Sequence, residues 1–147
     1  MTQYNLSNER VKVTLIERYQ DEIYSLALSL TNNEKKSKIL AAKVFDKSLG
    51  KVYGSYNKIK LQLFRELLLN IASVSMKKMS EKNILYLFKR RLNLFDRKVF
   101  VLKFEFNLTS TEIAVVLRTS VKKVKKSLFY SIDKMIKIME DKKSEMR

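Results

Sequence analysis

The residues best placed to do chemistry in this chain are lysines. Lys122, Lys125 and Lys126 recur with Phe129 at three- and four-residue steps, so on a helix they share one face, cationic with a single aromatic ring. Such a face suits a nucleic-acid backbone, because ammonium groups displace the counterions condensed on phosphates. Thiolate and imidazole chemistry is excluded. The 147 residues contain neither Cys nor His, which removes disulfides, histidine-dependent nucleophiles and thiolate or imidazole metal sites. Paired acids such as Asp21–Glu22 and Glu140–Asp141 lie on lysine-rich segments with no nucleophile beside them, and read as solvated charges. No metal, no cofactor and no enzymatic activity is expected.

The lysine face belongs to a larger pattern over residues 109–128. Thr109 is placed to cap a short helix whose Ile113, Ala114 and Leu117 face inward, and small Ala114 lets a second helix cross closely. After a three-residue break, Ser120 is placed to cap that second helix. Its Val121, Val124, Leu128, Ser131 and Met135 share one face, opposite Lys122, Lys125, Lys126 and Phe129. This is the layout of a helix-turn-helix, whose second helix meets a major groove with its N-terminal partial positive charge toward phosphate. Lys122, Lys125, Lys126 and Phe129 would enter the groove, while Thr109, Arg118, Ser120 and Lys123 hold phosphates. A solvated lysine-rich surface is the alternative reading of the same charges. Arg118 stands where the turn usually carries Gly, and a side chain there costs about 1 kcal/mol in a left-handed conformation. A modified turn is therefore expected.

Positioning such a face requires a helical scaffold, and the rest of the chain reads as one. There is no Pro, and apolar residues recur at helical steps almost throughout. A first helix is expected from about Asn8 to Leu30, with Val11, Leu15, Tyr19, Ile23, Leu26 and Leu30 inward, closed by Thr31, Asn32 and Asn33. A second runs from about Asn33 to Leu49, carrying Ile39, Leu40, Ala41, Val44, Phe45 and Leu49 inward, with Gly50 as its cap. Residues 51–57 hold two tyrosines, an Asn and the second glycine, and form the clearest loop. A third helix spans Lys58 to about Met79, burying Leu61, Phe64, Leu67, Leu68 and Ile71. The pattern resets near Ser80, placed as an N-cap, and four shorter helices follow at about 81–91, 94–106, 110–117 and 121–140 before a charged tail that frays. Phe100 and Phe104 fall four residues apart, the spacing of a buried stripe rather than a membrane anchor.

Charge adds a partner to this scaffold. Lys and Arg number 31 against 15 acids, a net +16 that a polyanion would neutralise. The positives concentrate in the second half, at Lys77, Lys78, Lys82, Lys89, Arg90, Arg91, Arg97 and Lys98 and again from Arg118 to Lys126, which favours a binding surface there. With no leader-like start and no apolar stretch of roughly eighteen residues, a cytoplasmic protein without a membrane partner is expected.

From Leu94 onward the chain resembles region four of bacterial RNA polymerase sigma factors. Leu94, Asp96, Arg97, Leu102, Leu108, Glu112, Ile113, Ala114, Leu117, Ser120, Val124 and Lys125 match that pattern, and Phe95 replaces its proline. The E-I-A and V-K elements also occur in LuxR-type regulators. Residues 24–45 resemble region two of the small, two-domain extracytoplasmic-function sigma factors, and residues 63–72 their next helix, through Tyr24, Leu26, Ala27, Leu40, Val44, Phe45, Leu67 and Asn70. The resemblance implies an all-α fold of two small helical domains, a region 2-like domain over 8–79 and a region 4-like helix-turn-helix domain over 80–140. It also implies a transcription initiation factor whose partners are promoter DNA, RNA polymerase core and an anti-sigma protein.

Site residues follow from the same resemblance. Lys38, Ile39, Ala42 and Phe45 occupy the polymerase-binding helix, with Lys38, Ile39 and Ala42 where the family has an acid, an Asp and a Gln. An apolar contact would replace the family's polar one, or this half packs on something else. Leu63 stands where a Trp is usual. Tyr53, Tyr56 and Asn57 fall in the loop that captures an unstacked base, where tyrosines either stack on single-stranded DNA or close over the core. Two alternatives remain open: a helix-turn-helix regulator that does not bind polymerase, and a sigma-mimicking interaction module.

Overall fold

The computed structural model describes residues 2–48, 54–71, 76–77 and 83–145, and among them the chain is all-α, with no strand. It divides into two compact units, Met1–Ile71 and Ala72–Arg147.

The first unit packs α1 (Thr2–Thr31), α2 (Glu34–Ser48) and α3 (Tyr56–Leu69) against one another. Leu15, Tyr19, Ile23, Leu26 and Leu30 of α1 are buried at helical spacing, as the periodicity predicts. Hydroxyls set the α1–α2 corner. Thr31 donates to the Ala27 carbonyl at 2.9 Å, Asn32 turns left-handed at φ 50°, and Asn33 Oδ1 accepts from the Lys36 N–H at 3.1 Å to open α2. Ser37 donates to the Asn33 carbonyl at 2.7 Å.

Helix α2 buries Leu40, Val44 and Phe45 as its spacing predicts, but its inward face is turned toward two serines. Ser37 and Ser48 join Leu40, Val44 and Phe45 in the buried face, while Ile39 points outward at 50% exposure instead of inward, and Ala41 is only half-buried. Small polar residues lie against the neighbouring helices, which a hydrophobicity pattern does not register. Helix α3 also departs from expectation. It starts behind the Ser55 cap and ends at Leu69, not Met79, because Asn70 donates its side-chain amide to the Glu66 carbonyl at 2.8 Å while Ile71 folds inward to 3% exposure. Leu61 is half-buried, and Ile59 and Leu63 take its place in the core. Gly50, Leu49 and Ser80 lie outside the described residues.

In the second unit α4 (Ile84–Arg91), α5 (Leu94–Phe104), α6 (Ser110–Leu117) and α7 (Val121–Glu145) follow at short intervals. Asn83 and Asn93 cap α4 and α5, accepting from the N–H groups of Tyr86 and Asp96 at 3.0 and 2.8 Å. The Arg97 guanidinium is 1% exposed and gathers the end of α4, donating to the carbonyls of Lys89, Leu92 and Arg90 at 2.8, 3.2 and 3.4 Å. Asp96, also buried, accepts from the Ser127 hydroxyl at 2.6 Å and ties α5 to α7. Lys89 is buried beside Glu105 at 3.3 Å, and desolvation pushes its ammonium below the ordinary lysine range despite that partner. Lys89 and Arg97 are therefore interior groups, not members of the expected basic surface; burial lowers the Lys98 ammonium as well.

Two boundaries also move. Phe100 is buried edge-on to Phe88 at 4.7 Å, but Phe104 is half exposed because α5 stops there and Asn107 turns left-handed to bring Leu108 inward. The tail expected to fray after residue 140 continues α7 to Glu145, with Lys142 paired to Glu145 at 3.5 Å. No helix among the described residues is long and apolar enough to cross a membrane.

Candidate functional site

The helix-turn-helix pattern folds through its own hydrogen bonds. Thr109 Oγ1 accepts from the Glu112 N–H at 3.1 Å and Glu112 Oε1 accepts from the Thr109 N–H at 3.0 Å, a reciprocal capping box that starts α6. Ile113, Ala114 and Val116 turn into the core, while Leu117 is half-buried and Val115 exposed. Arg118 ends α6 in the left-handed region, at φ 52° and ψ 51°. The expected modified turn does not occur: the turn keeps the geometry that favours Gly and places an arginine in it. Its reason lies in the carbonyls it satisfies, since the Arg118 N–H reaches Val115 at 3.3 Å and the Thr119 N–H reaches Ala114 at 3.0 Å.

Helix α7 opens behind Ser120, whose Oγ accepts from the Lys123 N–H at 3.1 Å. Val124, Ser127, Ser131 and Ile138 then form its buried stripe. Lys122, Lys125 and Lys126 are exposed, and Phe129, at 76%, is the most exposed large apolar side chain among the described residues. One helix face thus presents these lysines around an aromatic ring, and nothing in the core requires them. Lys123 is exposed too, but its ammonium lies 4.9 Å from the Phe95 ring, which holds it toward α5. The hydroxyl oxygens of Thr109 and Ser120 accept the cap bonds from the Glu112 and Lys123 N–H groups. Arg118 projects from the turn into solvent.

The first unit places its candidate residues differently. Lys38, Ile39 and Ala42 share the exposed face of α2, but Phe45 is 6% exposed and packs inside with Leu40 and Val44, so it is a core residue and not a contact for polymerase. It follows Val44 by one position in the same buried face. Leu63 is fully buried. Tyr53 lies outside the described residues. Tyr56 and Asn57 begin α3, both exposed. Tyr19 donates its hydroxyl to the Tyr56 carbonyl at 2.9 Å, and the Arg18 guanidinium lies 3.9 Å from the Tyr56 ring centre. The Tyr56 ring therefore sits outside the core with a cation over it. Sequence reasoning missed Arg18, since only the packing of α1 on α3 brings it to Tyr56. It missed Ser127 as the partner of Asp96 for the same reason.

Among the described residues no group of acids is arranged to hold a metal ion. The geometry offers cation, hydroxyl and aromatic faces.

No protein-family model and no curated protein matches the chain in sequence. Its fold is similar to that of the sigma factor RpoE from Bartonella quintana, solved in complex with the anti-sigma factor NepR. The identity is 13% and the TM-score 0.67, over 87% of this chain and 96% of that chain.

Proposed function

From this sigma-like fold we infer that the chain is a promoter-recognition factor, a binding protein and not an enzyme, acting on chromosomal DNA in the cytoplasm. Helix α7 reads the minus-35 duplex: Lys122, Lys125, Lys126 and Phe129 enter the major groove, and Thr109, Arg118, Ser120 and Lys123 hold phosphates on either side. The observation that carries this reading is the lysine face around Phe129, set outward by two helix caps and a left-handed turn in register. Every groove-facing cation is a lysine, which lacks the two-pronged match of arginine to guanine, so backbone charge dominates and base discrimination is modest. In the first unit Lys38, Ile39 and Ala42 contact polymerase core, and Tyr56 and Asn57 receive an unpaired base of the minus-10 element. An anti-sigma protein, of the kind with which the similar fold was solved, is a further partner.

Replacing Lys122, Lys125 and Lys126 with Ala tests the groove. The slope of log affinity against log salt should fall by about 0.9 for each phosphate that a lysine no longer neutralises, and promoter-specific initiation should disappear. Unchanged duplex affinity removes α7 from the DNA interface. The outward face of α2, cationic and apolar in place of the family's polar set, favours a second reading in which the chain regulates transcription without polymerase core. Capture of core enzyme by the purified chain separates the two.

A further inference from the structure

Beyond its lysines, α7 carries a second feature, an apolar row that the proposed duplex contact shares only at Phe129. Phe129, Ile132, Ile136 and Met139 are 76, 43, 50 and 47% exposed. They follow one another at steps of three, four and three, the spacing of a coiled-coil seam rather than of scattered surface residues. The seam lies beside the buried stripe of Val124, Ser127, Ser131 and Ile138, so both can be occupied at once. A contiguous apolar row of this kind marks an interaction surface.

Its flanks say which partner fits. In an antiparallel pair of identical helices centred near Lys134, Phe129 meets Met139 of the second copy and Ile132 meets Ile136 of the second copy, which closes every apolar position. The flanking positions then set Lys126 against Glu140 of the second copy, twice by symmetry, and Met135 against its own counterpart. Asp133 faces its counterpart across the axis, but Lys137 already neutralises it at 3.0 Å. A parallel pair would instead set Leu128 against Asp133 and Met135 against Glu140, with no opposite charges in register. We propose that α7 pairs antiparallel with α7 of a second copy of this chain across Phe129, Ile132, Ile136 and Met139, and that this pairing and duplex binding exclude each other. The exclusion rests on the groove-reading role of α7, because Phe129 and Lys126 serve both. The seam is short, so the dimer is weak and forms at micromolar concentrations.

Sedimentation of the full chain across the micromolar range, with and without a duplex, tests this. The chain should shift from monomer to dimer with concentration, and excess duplex should return it to a one-to-one complex. Ile132→Glu, an exposed substitution checked for unchanged helicity, should weaken dimerisation more than about tenfold, since it enters two layers. Glu140→Lys should weaken it by setting like charges together, and adding Lys126→Glu should restore it. A monomer at every concentration overturns the proposal, as does a dimer indifferent to Ile132→Glu or to the charge exchange. A dimer that stays paired on the duplex overturns the exclusion. A chain that dimerises through the seam while its monomeric Ile132→Glu variant binds no duplex overturns the groove reading and the exclusion, and confirms the pairing.

Discussion

The two units solve one problem, closing helices around a small core, with opposite polar chemistry. In the first, the buried anchors at the α1–α2 corner are neutral hydroxyls: Thr31 and Ser37, 3% and 0% exposed, each bonded to a carbonyl one turn earlier. In the second they are ionised. Arg97 holds the end of α4, Asp96 holds Ser127, and Lys89 pairs with Glu105. The hydroxyl corner is a small neutral network, in which Thr31 and Ser37 lie 3.1 Å apart and Thr31 also accepts from the Asn33 N–H at 3.3 Å, so the loss of one group leaves no charge unpartnered. A buried guanidinium serves three carbonyls at the end of another helix, and all three lose that donor together when it goes, the Lys89 carbonyl keeping the Leu92 N–H. The candidate groove-reading face is thus built on the unit whose interior is more sensitive to substitution and to pH.

The sharpest way to break that contrast is a matched pair of truncations. Arg97→Ala should cost about 3 kcal/mol, the penalty for leaving buried polar groups unsatisfied together with poorer packing. Ser37→Ala should cost about 1 kcal/mol, because it removes only neutral contacts, to the Asn33 carbonyl and the Thr31 hydroxyl, with little change of volume. Urea unfolding of the full chain measures both. Equal losses would mean that the ionised anchors are no more important than the hydroxyls.

The same contrast decides what the sequence made legible. Helix α6, its capping box, the Ser120 cap and the outward lysines could be read from residues 109–128 because every bond that forms them is local. Arg97 and Asp96 were visible as members of a motif, but their burial was not, since a cation between Arg91 and Lys98 looks like surface charge until α4 folds over it. On α2 the hydrophobic pattern found Leu40, Val44 and Phe45 but pointed Ile39 inward, where Ser37 and Ser48 complete the buried face. The pairing of Arg18 with Tyr56 spans two helices far apart in the chain, and no spacing rule reaches it. Local hydrogen bonding is written in the sequence; the choice of which polar residue faces a neighbouring helix is written in the packing.

A smaller effect sharpens the comparison within the second unit, at the turn. Arg118 holds a left-handed conformation that costs an L side chain about 1 kcal/mol, so Arg118→Gly should stabilise the chain by about that amount. The same substitution removes a proposed phosphate contact and should lower the salt slope of duplex binding by about 0.9. Stability and binding then move in opposite directions. A variant that gains stability with an unchanged salt slope would leave Arg118 out of the interface, and one that gains none would show that the arginine side chain offsets its own strain.

The smallest effect is a pH dependence expected from the second unit's ionised interior. Burial holds the Lys89 ammonium below the ordinary lysine value, with Glu105 opposing the shift and Arg97 adding to it. As pH rises through that lowered value, folded Lys89 releases its proton while unfolded Lys89 keeps it up to the ordinary value of about 10.4. Within that window the unfolded state binds more protons, so stability rises with pH. Lys89→Met removes the titration and should show a flatter alkaline profile in urea unfolding. Lys98 is shifted in the same direction by burial but is present in both proteins, so the difference between the two profiles isolates Lys89. Parallel profiles would mean that Glu105 compensates the burial in full, and the ionised interior would then be as indifferent to alkali as the hydroxyl corner of the first unit.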